Sequence, residues 1–68
     1  MKLTKRYREA VITETFVFED GDKTFILKEY LNEDNKVIDP RLVLDQTGIS
    51  LNDPALLEQL QELADKGL

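Results

Sequence analysis

The sequence predicts a small α+β domain, a three-stranded antiparallel β-meander packed against one C-terminal α-helix, with a fourth strand if residues 41–44 join the sheet. Three observations carry this. Residues 11–31 form a β-branched and aromatic run broken once, at Glu19-Asp20-Gly21-Asp22, which is the pattern of a hairpin. A second polar break, Asn32-Glu33-Asp34-Asn35, separates that hairpin from another short apolar run, Lys36-Val37-Ile38. Residues 52–67 then carry helix start and stop signals around apolar residues at helical spacing.

The elements follow in chain order. Residues 1–8 are basic, with Lys2, Lys5, Arg6 and Arg8 around Leu3 and Tyr7; they read either as an N-terminal arm or as the start of a strand. The meander occupies 9–44. Its first strand, 11–18, consists mostly of Val, Ile, Thr and Phe, side chains that suit a pleated, half-buried surface. Asp20-Gly21 is a favoured turn pair, and 23–31 resumes the strand pattern. Alternation places Ile12, Phe16, Phe18, Phe25, Leu27 and Leu31 on one face as the sheet side of the core.

Glu14 and Glu29 interrupt this core set, and they read as residues near the sheet margin. The opposite face carries Val11, Thr13, Thr15, Val17, Ile26 and Tyr30, which is too apolar for a fully wetted face. Asp39-Pro40 is expected to end the third strand, because proline has no N–H for a ladder. Ile49 and Leu51 are expected to tuck into the core. Asp53 is a natural N-cap and Pro54 suits the first helical position, while Lys66 and Gly67 mark the other end. Leu56, Leu57, Leu60, Leu63 and Ala64 share one helical face, which the meander needs as its second layer.

Length and composition bound the function. Sixty-eight residues make one domain, 1–68, with a small core. There is no Cys and no His, so thiolate and imidazole metal sites and the common nucleophile–base pairs are excluded. No calcium-loop or phosphate-loop spacing occurs either. The chain is therefore read as a non-enzyme without cofactor or metal, and as cytoplasmic, since nothing in it resembles a signal or membrane segment. The formal charge is −5, yet the first eight residues hold four of the nine basic side chains and none of the fourteen acidic ones.

The reading that best accounts for these features is a protein-interaction module, an adaptor, regulator or accessory subunit, whose partner is another protein or a second copy. Val11, Val17, Ile26 and Tyr30 are its candidate contact residues. An alternative is an acidic inhibitor that imitates nucleic acid; it requires Glu14, Glu19, Asp20, Asp22, Glu29, Glu33 and Asp34 to form one ordered surface. A second alternative is weak nucleic-acid binding by the basic 1–8 segment. The acidic remainder disfavours nucleic acid and anionic membrane as partners.

Overall fold

The computed structural model describes residues 1–9 and 12–67, and at Glu9, Asp39 and Pro40 the backbone alone. Four strands and one helix follow in order: β1 (Lys2–Glu9), β2 (Thr13–Asp20), β3 (Lys23–Leu31), β4 (Val37–Asp45) and α1 (Pro54–Lys66). The strands form a single curled antiparallel sheet in the order β1-β2-β3-β4. The α+β meander with one C-terminal helix is thus as expected, with the strand count at four.

The fourth strand arises at the N-terminus. The basic segment is β1 itself, paired along its length with β2. Leu3 is the only apolar residue it buries, and a register shift between Leu3 and Lys5 resets its alternation. The two short runs expected at 36–38 and 41–44 are one strand, β4, which passes through Asp39-Pro40. The register jumps there: Lys28 faces Leu42 and Tyr30 faces Ile38, so three residues of β4 lie against Glu29 alone. A bulge on an edge strand is where a sheet accommodates a residue without an N–H.

The β2–β3 hairpin turns on Gly21 and Asp22, because Asp20 and Lys23 are already paired. Gly21 has φ +64° while Asp22 keeps a negative φ, so glycine occupies the first central position, as in a type II′ turn. The sequence-level choice of Asp20-Gly21 as the central pair is corrected by one residue. In the β3–β4 loop, Asn32 Oδ1 accepts from the backbone N–H of Asp34 (2.9 Å) and Lys36 (3.0 Å). Asn35 adopts φ +61° there, a region asparagine tolerates.

The helix starts as its sequence dictates. Asp53 Oδ1 accepts from Leu56 N–H at 3.1 Å, Pro54 follows, and Gly67 closes the end at φ +76°. Leu60 and Ala64 are buried against Leu3, Phe16, Phe18, Leu27 and Val43; Phe25, Leu51, Leu56, Leu57 and Leu63 pack around them. Two residues assigned to the core lie outside it. Ile12 is 46% exposed, because it belongs to the β1–β2 connection rather than to a strand. Ile49 is 63% exposed, because its backbone is engaged with Asp45 through both its N–H and its carbonyl, which turns the side chain outward.

Candidate interaction surfaces

Strand alternation divides the side chains into an inner face under α1 and an outer face. The inner face changes character along its length. Near the β2–β3 turn it is apolar, with Phe18 between Leu3 and Phe25, and Phe16 beside Leu27 and Val43. One register step further it becomes ionic. Glu14 and Glu29 are direct cross-strand neighbours on the two central strands, with side chains only 12% and 13% exposed. They do not lie at the sheet margin, as their sequence context suggested. Like charges facing each other destabilise a sheet unless they are compensated.

The compensation comes from the two edge strands. Arg6 Nε and Arg8 Nη2 both donate to the Glu14 carboxylate, and Arg8 Nη1 reaches Asn35 Oδ1 at 3.5 Å. The Arg6 guanidinium also lies 5.1 Å from the Phe16 ring centre, a cation–π contact joining the ionic and apolar halves. Arg41 Nε lies 3.0 Å from Glu29 Oε2 but is not aligned as a hydrogen bond.

The two carboxylates respond in opposite directions. Burial raises Glu14, but hydrogen bonds from Arg6 and Arg8 and their charges outweigh it and leave its pKa below the ordinary value. Burial also raises Glu29, and the Arg41 charge only partly opposes this while Asp65 and Glu14 push further the same way; its pKa ends above the ordinary value. The group lines an open cleft of about 340 Å³ with Phe16, Leu31 and Val37 in its wall and Ala64 and Asp65 of α1 across it. Its wall holds two guanidinium groups, Arg6 and Arg8, against three carboxylates, Glu14, Glu29 and Asp65, while Arg41 approaches Glu29 from β4.

Glu14→Gln is expected to cost about 1 kcal/mol at neutral pH, less than an ordinary hydrogen bond to a charged group because Arg6 and Arg8 are half exposed and water screens them. The sign follows from a lowered folded-state pKa. Glu14 stabilises the fold above its unfolded pKa, and this is lost as pH falls through the folded value. Parent and variant should therefore converge in urea titrations carried out in strong acid.

The outer face carries four cross-strand rows: Lys2, Glu19 and Thr24; Lys5, Val17, Ile26 and Leu44; Tyr7, Thr15, Lys28 and Leu42; and Thr13, Tyr30 and Ile38. Tyr7 and Ile38 are 44% and 45% exposed, and Val17, Ile26, Tyr30, Leu42 and Leu44 are half-buried. Thr15, flanked by Tyr7 and Lys28, is fully shielded. No described residue forms a layer over this face. The candidate contact residues Val17, Ile26 and Tyr30 lie on it together, and Val11 falls outside the described residues. Sequence reading did not include Tyr7, Leu42 and Leu44, because it left open whether residues 1–8 and 41–44 join the sheet.

The seven acidic candidates are dispersed. Glu19, Asp20 and Asp22 cluster at the β2–β3 turn, and Glu33 and Asp34 lie at the opposite end of the sheet in the β3–β4 loop. Glu14 and Glu29 face inward to arginines. Among the described residues no group of three or more metal-ligating side chains is assembled, and no helix is long and apolar enough to cross a membrane. Comparison with known proteins returns no match to a family model, to a curated protein or to a solved structure.

Proposed function

We propose that this protein is a small non-catalytic interaction module of the cytoplasm whose docking surface is the outer face of the sheet. The observation that supports it is the contiguous apolar row Val17, Ile26 and Leu44, continued by Leu42, Tyr30, Ile38 and Tyr7 on the side away from the helix. A one-helix antiparallel sheet ordinarily turns a polar face to water. Lys5 stands exposed at the β1 margin of this patch, so the partner is a protein presenting apolar side chains with a carboxylate at that margin. The scattering of the acidic side chains over two turns and an inner cleft argues against a nucleic-acid mimic, and the engagement of Arg6 and Arg8 by Glu14 argues against a free basic arm.

The experiment is affinity capture of the tagged protein and of Tyr30→Ala from the native lysate, after nuclease treatment. Wild type is expected to retain a stoichiometric protein. The variant should lose it through an affinity drop of about 30-fold, the scale of a 2 kcal/mol hot spot, at an unchanged melting temperature. Equal capture by both would remove the outer face as the docking surface. A dimer by light scattering with no captured protein would assign the face to self-association instead.

A further inference from the structure

The backbone of β1 is left open on its outer side, and its direction of pairing can be worked out. In an antiparallel pair, opposed residues alternate between those that exchange N–H···O bonds and those that do not. The two-residue turn makes Asp20 and Lys23 a bonded pair, and the Leu31 N–H donates to the Ile12 carbonyl at 3.0 Å in the same phase. The even-numbered residues of β2 therefore bond to β3, and Thr13, Thr15 and Val17 bond to Glu9, Tyr7 and Lys5 of β1. Leu3, Arg6 and Arg8 consequently direct their backbone N–H and C=O groups away from the sheet.

The other edge is closed. The same alternation turns Val43 and Asp45 of β4 outward, and the returning segment takes them: Leu51 N–H donates to the Val43 carbonyl at 2.7 Å, and Asp45 N–H to the Ile49 carbonyl at 2.9 Å. The rest of β4 has the three-residue bulge and Pro40, which offers no N–H. Among the described residues nothing pairs with the outer side of β1.

We infer that β1 receives an extended, acidic segment of a partner protein as a fifth strand. The charge of the edge selects the occupant. Lys2, Lys5, Arg6 and Arg8 all lie on β1, so a second copy pairing edge to edge would oppose cation to cation, which destabilises a ladder. A segment with carboxylates at alternating positions sets them all on one face, against Lys2 and Lys5 on the outer side, and its apolar residues on the inner side beside Leu3. Backbone hydrogen bonds supply affinity and the cationic side chains supply selectivity. This rests on the interaction reading and gives the partner its mode of attachment, at the margin of the outer face.

The test is amide hydrogen exchange by NMR on the intact protein with an acetylated, amidated heptapeptide of alternating Glu and Val. A saturating amount is expected to slow the Leu3, Arg6 and Arg8 amides at least tenfold, leaving Lys5 and Tyr7, already in the ladder, unchanged. Lys2→Gln with Lys5→Gln, which removes both charges without setting a carboxylate opposite Glu19, should weaken binding at least fivefold without lowering the melting temperature. An unaltered exchange pattern, or equal slowing by the same peptide with Lys in place of Glu, would overturn the proposal. Shifts confined to Val17, Ile26 and Leu44 would also overturn it, while leaving the outer face as a docking surface. Preferential binding of an oligothymidylate at β1 would assign the edge to nucleic acid and overturn it too. The Tyr30→Ala capture, which does not touch β1, judges the interaction reading separately.

Discussion

Replacing Leu60 with Ala is expected to remove most of the stability of the domain. Leu60 is fully shielded from solvent and is seated among Phe16, Phe18, Leu27 and Val43. Truncating a buried leucine costs about 2–5 kcal/mol, the lost transfer free energy plus the cavity left behind. A domain of this size holds roughly 3–10 kcal/mol in total, at about 0.05–0.15 kcal/mol per residue. The substitution therefore consumes at least about a fifth of what exists, and at the unfavourable end leaves the chain unfolded at room temperature. Urea denaturation followed by far-UV circular dichroism reads the loss as a lower midpoint. Leu56→Ala, on the half-buried margin of the same helix face, should cost clearly less. Equal midpoints for parent and Leu60→Ala would mean that the helix does not seal the sheet.

That expectation could be drawn from sequence because helix periodicity and capping are local signals. Asp53, Pro54, Lys66 and Gly67 bracket the helix in the chain as they do in space, and Leu60 and Ala64 are the residues its apolar arc points inward. The central hairpin was legible for the same reason. What escaped was set by pairing. Lys2–Glu9 has a strand's backbone but a surface composition, since an edge strand crossing an ionic part of the inner face needs arginines there rather than leucines. Pro40 looked like a terminator because proline cannot donate to a ladder; opposite Glu29 the bulge removes that requirement. The outer-face residues Val17, Ile26 and Tyr30 were found by alternation alone, whereas Leu42 and Leu44 required the register across the bulge. The pairing of Glu14 with Glu29 likewise depends on hairpin register, and the arginines that hold them come from segments whose place in the sheet local pattern left open.

Arg41→Ala should destabilise the domain by about 2 kcal/mol at neutral pH and by much less in mild acid. Removing one member of a buried ion pair ordinarily costs about 3–5 kcal/mol, because the remaining charge is left desolvated; Arg41 is about a third exposed, which admits water and reduces the figure. Glu29 is the charge left behind. It faces Glu14 on β2, with Arg6 on β1 and Asp65 on α1 also acting on it, and its pKa already lies above the ordinary value with Arg41 in place. A carboxyl raised in the folded state favours folding most at pH below its unfolded pKa, and that advantage is lost as pH rises through the folded value. Without Arg41 the folded value rises further, so the variant falls behind the parent at pH 7 and regains most of the difference near pH 4. Glu29→Gln removes the charge itself, so it should be close to neutral at pH 7, and in the double variant it should recover most of the Arg41→Ala loss. Urea midpoints of the four proteins at both pH values close the cycle. A cost for Arg41→Ala that is the same at both, and that Glu29→Gln fails to relieve, would mean that Arg41 acts through the packing of its methylenes on β4 rather than through its charge.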